Sequence, residues 1–334
     1  MPSISHPYLL FVGDAPDRLA AKTAIGVLDW RPDICVGQFR LPDCQADLGI
    51  AELNIAEAAE KGAKTMLVGV ANRGGIIPQS WITPMLEALR LGMDLASGLH
   101  NRLSDIPQLA DEANRLGRKL IDVRIPDSEY PIATGEQRSG HRLLAVGTDC
   151  SVGKMYTALA IESEMRRRSW NVDFRATGQT GIFIAGNGVP VDAVISDFIA
   201  GSIESLCPAN DPDHWDIIEG QGSLFHPSYA GVSLGLLHGS QPDHLVLCHE
   251  PTRTHMRGLP HQGLPGIQLC METNLKAARI VSENTRFIGL SVNTQHVEPG
   301  QREQLLKSLE DEFGLPCVDP MITGVAPLVD RIES

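Results

Sequence analysis

The residues best suited to chemistry lie in LLAVGTDCSVGKM, residues 143–155. An apolar run from Leu143 to Val146 meets Gly147. Thr148, Asp149, Cys150, Ser151 and Val152 fill a turn, and Gly153-Lys154-Met155 open a helix-like stretch. In such a turn the backbone N–H groups, the positive end of the helix and a lysine ammonium converge on an anion, which is the physical content of a P-loop. Two departures matter. Five residues separate Gly147 from Gly153, where the usual pattern has about four. Met155 also stands where a Ser or Thr hydroxyl would bind Mg²⁺. Thr157 is no substitute, because two residues turn a helix by about 200°. A loop of this kind can hold a diphosphate but is poorly equipped to cleave one, since phosphoryl transfer leans on the metal. Cys150, at a helix N-terminus, has the placement of an activated thiol; the turn's need for a small residue is the preferred account.

Further candidates surround this loop in the sequence. TGQTG at 177–181 follows a predicted strand, and its N–H groups with Gln179 are placed to line a phosphate pocket. Asn293 ends FIGLSVN, where an amide can match the donor and acceptor of an adenine edge. His249, His255 and His261 recur every six residues beside Cys248. That spacing in a Pro- and Gly-broken loop is no known ligand pattern, so no metal is expected. The same loop offers Arg253, Arg257 and a histidine to an anionic substrate. Arg73, before Gly74-Gly75, and His100 follow strands of the first third, the end of an α/β sheet at which ligands bind. Lys22 is placed similarly.

These residues need a scaffold. Predicted strands are Tyr8–Gly13, Ile34–Phe39, Thr65–Val70, Met93–Ser97, Lys119–Val123, Arg142–Val146, Val172–Ala176, Trp215–Glu219, His244–Cys248 and Phe287–Val292. Amphipathic stretches at Asp17–Trp30, Ala51–Lys61, Gln79–Leu91, Ile106–Gly117 and from Gly153 to Ser169 alternate with them. That alternation predicts an α/β fold with parallel, doubly wound sheets. Residues 124–141 lack any period and read as a linker. The expected division is a Rossmann-like domain over 1–138 and a P-loop NTPase-like domain over 139–334, with the site in the cleft between them. The long loops at 177–190, 220–231 and 249–265 are expected to be functional.

Composition narrows the function classes. The apolar content, 43% of 334 residues, excludes global disorder and suffices for two ordinary domains. Acidic residues outnumber basic ones 41 to 28, which argues against nucleic acid and leaves room for a local basic pocket. Seven scattered cysteines without CxxC spacing read as reduced thiols. With neither a signal peptide nor a long apolar run, a cytoplasmic protein that does not engage membrane is expected.

The form GTDCSVGK resembles dethiobiotin synthetase and its P-loop relatives, and WDIIEGQG at 215–222 is similar to that group's acidic strand end. Nearly the whole chain resembles a more specific family, the two-domain P-loop proteins that include the D-glutamate N-acetyltransferases of bacterial D-amino acid catabolism. The residues that carry the resemblance are 21–26, Gly69–Gly75, Ser97–His100, Gly147–Met155, Thr177–Gly181, Glu219–Ser223 and His249–Arg253. Met155 belongs to that family's pattern. The resemblance implies acetyl transfer from acetyl-CoA to the amino group of an acidic D-amino acid, D-glutamate first. No resident metal is implied, and the partners are the small acidic substrate and further copies of the chain in a homo-oligomer. The competing reading is an ATP/Mg²⁺-dependent ligase or kinase of dethiobiotin synthetase type, with Asp149 and Glu219 holding Mg²⁺. A non-catalytic nucleotide sensor is a third class.

Under the acyl-transfer reading the amine must lose a proton before it attacks a thioester, so a base is needed near the loop. Glu219, at a strand end beside the loop-bearing strand, fits best, and partial burial there would raise its pKa. His249 and His226 are the reserves. The acceptor's carboxylates are expected to meet Arg73, Arg253 and His100. The donor is expected on residues 147–155, Gln179 and Asn293.

Overall fold

The computed structural model describes residues 4–72, 74–126 and 129–333. The chain forms two compact units. The first comprises Met1–Ser128 and Gly178–Ala193, and the second Glu129–Thr177 and Val194–Ser334. The cut falls at 128 and not at 138, and a piece of the second half returns to the first unit.

In the first unit, β1 (Tyr8–Gly13), α1 (Lys22–Trp30), β2 (Cys35–Arg40), α2 (Ile55–Glu60), β3 (Thr65–Val68), α3 (Gln79–Arg90), β4 (Asp94–Ser97), α4 (Pro107–Leu116) and β5 (Leu120–Asp122) alternate. The strands form one parallel sheet in the order β2-β1-β3-β4-β5. Strands β1, β3 and β4 are buried throughout, as strands covered by helices on both faces must be. Two helices start later than their hydrophobic pattern predicts, each for a local reason. Asp17 accepts the Ala20 N–H at 2.8 Å and holds a turn, so α1 begins at Lys22. Asn54 and Glu57 form a reciprocal capping box that fixes the start of α2. The returning segment carries α6 (Gln179–Ala185). Tyr8 Oη donates to the Phe183 carbonyl and Arg31 Nη1 to the Ile184 carbonyl, each at 3.2 Å, which anchors this short helix beside β1 and α1.

The second unit contains β6 (His141–Gly147), α5 (Lys154–Arg167), β7 (Val172–Arg175), α7 (Ile199–Leu206), β8 (Trp215–Ile218), α8 (Ala230–Ser240), β9 (His244–His249), β10 (His255–Met256), β11 (Leu259–Gly263), α9 (Ile267–Ala278), β12 (Arg286–Val292), α10 (Arg302–Phe313), β13 (Cys317–Val318) and α11 (Ala326–Glu333). Six strands form a parallel sheet in the order β13-β12-β9-β6-β8-β7. The central strand β6 pairs on both sides, Leu143 opposite Ile217 on β8 and His244 on β9. Helix α5 buries Thr157, Ala158, Ile161 and Met165, one face at helical spacing, against Leu143, Ala145 and Ile217. Strands β10 and β11 make an antiparallel hairpin inside the predicted loop 249–265. That hairpin and the two-residue strand β13 have no sequence period long enough to reveal them. Among the described residues no helix is long and apolar enough to cross a membrane, and the seven cysteines are free thiols.

Candidate active site

The strand order of the second unit determines where a ligand binds. The chain leaves β6 towards β7 on one side and leaves β9 towards β12 on the other, so the crevice between β6 and β9 is the topological switch point. The turn 147–153 stands over this crevice at the C-terminal end of β6. The loop that follows β9 flanks it on one side. Glu219, which follows β8, flanks it on the other.

The loop has the geometry of an anion cradle. Ser151 has φ 53° and Gly153 has φ 105°, and residues in this left-handed region turn successive N–H groups into one concavity. Helix α5 begins at Lys154 without a side-chain cap, which leaves its first N–H groups for a ligand. Lys154 is 6% exposed and its Nζ donates to the Asp149 carbonyl at 2.8 Å. Burial pulls its pKa down, against the opposing pull of Cys248, Cys150 and Asp149. Among the described residues no carboxylate pairs with this ammonium, so the loop holds a positive charge that an anion would complete. The stem of Lys154 runs past Gly220. A Cβ at Gly220 would lie 1.6 Å from the Ala145 carbonyl oxygen and 3.0 Å from Lys154 Cδ. Glycine is therefore required after Glu219.

Arg253 fixes the shape of the loop. Its Nη1 donates to Asp149 Oδ2 at 2.8 Å and to the Cys150 carbonyl at 2.6 Å, its Nη2 to the Ser151 carbonyl at 3.0 Å, and its Nε to Glu250 at 3.0 Å. The Arg257 N–H also reaches Asp149 Oδ2, at 2.8 Å. Burial alone would raise the pKa of Asp149, but the Arg253 bond, with the N–H groups of Arg257 and Cys150, outweighs it and holds the carboxyl below its ordinary range. Glu250 is held low in the same way: burial is outweighed by Thr252 and Arg253. Cys150 is half-buried, and burial raises its thiol pKa in spite of Lys154. That suits a small turn residue better than a nucleophile.

The proton acceptors flank the loop. Thr148 is fully buried, and its Oγ1 lies 3.1 Å from Nδ1 of His249. His249 is half-buried; burial lowers its pKa, Glu250 opposes this and Arg253 adds to it. The imidazole is thus neutral near pH 7. Glu219 is 4% exposed, with Oε2 accepting the Thr177 N–H at 2.9 Å and Oε1 accepting from Gln221 at 3.1 Å. His226 is buried, its Nε2 on the Arg257 carbonyl at 3.1 Å and its Nδ1 on the Ser228 N–H at 3.2 Å. Asp149, Cys150 and His226 bring one donor atom each within 4.8 Å of one another. Both His226 nitrogens and Asp149 Oδ2 are engaged, while Asp149 Oδ1 is buried without a hydrogen-bond partner among the described residues; the positive charges of Lys154 and Arg253 beside the trio make it a poor fit for a cation. Thr157 turns into the core, bonded to the Gly153 carbonyl at 3.0 Å and to Ser291 Oγ at 2.7 Å.

Asn293 follows β12 and lines a cavity of about 570 Å³ that begins at Val152, Gly153 and Tyr156. Its Oδ1 accepts the Gln295 N–H at 3.1 Å, which leaves Nδ2 as a donor. Arg302, on the same cavity, carries no sequence motif beyond the helix start that follows Pro299-Gly300.

The other site candidates are positioned by the first unit. Gln179 opens α6 beside Gly98, where a Cβ on the glycine would collide with it. With its amide nitrogen on the Gly98 carbonyl, its oxygen accepts from Arg124 Nη1 at 3.3 Å. His100 is exposed on the turn after β4, packed so closely on Gly75 that a Cβ there would lie 2.6 Å from the ring. Arg73 lies outside the described residues. The second unit thus gathers residues 147–155, Glu219, His249, Arg253 and Asn293 at neighbouring strand ends, while Gln179 and His100 belong to the first.

The chain matches two family models: a P-loop domain described as a domain of unknown function, DUF1611_C, over residues 131–329, and the Rossmann-like DUF1611_N over residues 40–126. A D-glutamate N-acetyltransferase of Tritonibacter scottomollicae is 58% identical over 331 residues, 99% of either chain. A protein of the same name from a Pseudoalteromonas species is 48% identical over 98% of this chain and 99% of its own. The crystal structure of a DUF1611 family protein from Anabaena variabilis superposes with a TM-score of 0.84 at 30% identity, covering 98% of this chain and 99% of that one. Rossmann-like and P-loop domains joined in this order, with relatives similar from end to end, place the chain in the DUF1611 family, in the group that includes the D-glutamate N-acetyltransferases.

Proposed function

We propose that the protein is a D-glutamate N-acetyltransferase with acetyl-CoA as the acetyl donor. The observation that carries this reading is the 58% identity, over 99% of both chains, to a protein of that name. The loop geometry supports it. Residues 147–155 offer a diphosphate the N–H groups of the turn, the uncapped start of α5 and the buried Lys154 ammonium. Asn293 is a donor for the adenine edge in the adjoining cavity.

In the reaction the amino nitrogen of D-glutamate attacks the thioester carbonyl. An N–C bond forms, the C–S bond breaks, and the proton leaving nitrogen is relayed to the CoA thiolate. His249 has the properties of the acceptor in that relay: a neutral ring, half-buried, at the switch point of the sheet. Glu219 ties the end of β8 to Thr177 and is the second candidate. The acceptor's carboxylates are assigned to Arg73 and His100, with Arg253 free to join only if it leaves its present partners. The ATP/Mg²⁺ alternative is disfavoured by the residues it needs. Asp149 Oδ2 is paired with Arg253, Glu219 holds the Thr177 N–H and Gln221, Met155 carries no hydroxyl and Thr157 Oγ1 is committed to Gly153 and Ser291.

The test is direct. The protein is incubated with acetyl-CoA and D-glutamate, L-glutamate or D-aspartate, and separately with ATP, Mg²⁺ and the same amino acids. Free CoA thiol that depends on D-glutamate is expected. Amino-acid-dependent ADP would support the ligase or kinase reading, and binding without either product a sensor.

A further inference from the structure

The cavity that continues from the phosphate loop has largely apolar walls and an arginine with which, among the described residues, no carboxylate pairs. Val152, Tyr156, Pro320, Met321 and Ile322 contribute to its lining, and Met321 and Ile322 are 58% and 53% exposed, a large apolar surface beside the start of α5. At about 570 Å³ it has the size of a small-ligand site. Its one carboxylate, Asp319, is buried and already satisfied: Oδ2 accepts from the Thr294 N–H and Oγ1, and Oδ1 from the Met321 N–H. Arg302 is different. Its Nε donates to the Val297 carbonyl at 3.0 Å and its Nη2 to the Gln295 carbonyl at 3.4 Å, so backbone alone holds the guanidinium in place. Arg166, Arg167, Arg168, Arg175 and Arg253 of the same unit each pair with a carboxylate, whereas Arg142 and Arg279, like Arg302, bond to backbone carbonyls; of these three only Arg302 lines this cavity. Among the described residues Arg302 pairs with none.

We propose that this cavity receives the adenosine end of CoA and that Arg302 reads its ribose 3′-phosphate. The inference rests on the acetyl-CoA reading above and adds a specificity determinant to it. CoA and the 5′-nucleoside phosphates share the adenosine and the 5′-diphosphate, which residues 147–155 and Asn293 would hold alike. The 3′-phosphate is what CoA has and ATP lacks. With the diphosphate at the mouth of the cavity and the base near Asn293, the ribose falls between them, in the space that Arg302 also lines. A planar guanidinium already oriented by two carbonyls loses little freedom on meeting a phosphate, and it forms paired hydrogen bonds with one. The site thereby selects CoA through charge without using a metal.

The experiment measures dissociation constants of CoA and of 3′-dephospho-CoA by titration calorimetry, for the wild-type protein and for Arg302→Gln and Arg302→Lys. The wild type is expected to favour CoA by about tenfold or more, the scale of a charge-assisted hydrogen bond. Arg302→Gln should bring the ratio close to one while leaving the 3′-dephospho-CoA affinity unchanged, a result that also reports an intact fold. Arg302→Lys should retain part of the preference. Equal wild-type affinities for the two ligands, or an undiminished ratio in Arg302→Gln, overturn the assignment and leave the acetyl-CoA reading standing. If neither ligand binds the wild type, the acetyl-CoA reading falls and this assignment with it.

Discussion

Arg253 Nη1 donates to Asp149 Oδ2 at 2.8 Å across a sequence separation of 104 residues. The bond joins the loop after β9 to the turn after β6, the two strands that bound the switch point. Nη2 and Nε are spent on the Ser151 carbonyl and on Glu250. All three guanidinium nitrogens thus act within the protein, and the observed role of Arg253 is to hold Ser151 at its positive φ and the phosphate loop in its concave form. A residue in the left-handed region persists only where its surroundings fix it.

Arg253→Met is therefore expected to damage the loop before it damages acceptor binding. The substitution strands the fully buried Asp149 carboxylate, and removing one partner of a buried pair costs about 3–5 kcal/mol. Urea unfolding should show that loss at neutral pH. The folded pKa of Asp149 is depressed below its ordinary 3.8, so the pair's stabilisation is present above that pH and lost as the pH falls through the folded value. The difference between wild type and variant should shrink on acidification, and Asp149→Asn in the Arg253→Met background should restore part of the stability. An equally stable variant would show that the pair contributes nothing.

Lys154→Met separates stability from binding. Among the described residues no carboxylate pairs with the buried ammonium, and burial lowers its folded pKa below the ordinary 10.5. A base with a depressed folded pKa destabilises the native state at neutral pH, and the cost is relieved only as the pH rises towards 10.5. The variant is expected to melt at a higher temperature than wild type without ligand. It should bind CoA about 1.5–3 kcal/mol more weakly, the range for a lost charge-assisted hydrogen bond. A variant that is both destabilised and unimpaired in CoA affinity would contradict both halves of the argument.

Local signals made much of this legible. The apolar run, Gly147 and Gly153-Lys154 reveal strand, turn and helix because each residue type restricts its own backbone. The same holds for β1 at Tyr8–Gly13 and for α4, bounded by Pro107 and by Gly117 with φ 64°. What the sequence could not display is pairing between distant segments. Arg253 reads as a carboxylate ligand until Asp149 is seen beside it. Nothing in the residues around Gln179 shows that the helix it opens, α6, packs on β1 and α1 of the first unit through Phe183 and Ile184. Arg302 has no motif at all; only the cavity it lines reveals it.

Gly220→Ala tests the packing behind Lys154. The added Cβ would stand 1.6 Å from the Ala145 carbonyl oxygen, a backbone atom of the central strand that cannot swing aside. Overpacking a tight core costs about 1–3 kcal/mol or more, and here β8 would have to move from β6, taking Glu219 with it and away from the Lys154 stem. Poor soluble yield, or a melting temperature several degrees lower with weakened CoA binding, is expected. Gly231→Ala, where a Cβ meets nothing within 4 Å, serves as the control.

Donor binding is expected to be independent of divalent metal. Met155 supplies no hydroxyl, and Thr157 Oγ1 is committed to Gly153 and Ser291. The CoA dissociation constant should be the same in EDTA and in millimolar Mg²⁺. An affinity that collapses in EDTA would return a metal to the loop and reopen the reading in which Asp149 releases Arg253.

The identity of the base is decided by comparing His249→Gln with Glu219→Gln. Either side chain can accept a proton, but their surroundings differ. His249 has a depressed pKa, caused first by burial and added to by Arg253, so the ring is largely neutral at pH 7 and charges only below its ordinary 6.5. If it takes the ammonium proton, kcat/KM for D-glutamate should fall on the acid side along a limb below pH 6.5. That limb should vanish in His249→Gln, with kcat reduced about 10²–10⁴-fold, the usual contribution of general-base catalysis. Glu219 accepts the Thr177 N–H and the Gln221 amide. A glutamine there keeps one oxygen for Thr177 but loses the charge, so Glu219→Gln should disturb the turn into Gly178 and raise KM while retaining the acid limb. The opposite pattern, a surviving limb in His249→Gln and a catalytic collapse in Glu219→Gln at unchanged CoA affinity, transfers the base to Glu219. Its carboxylate would then have to exchange the Thr177 N–H for the substrate amine during turnover.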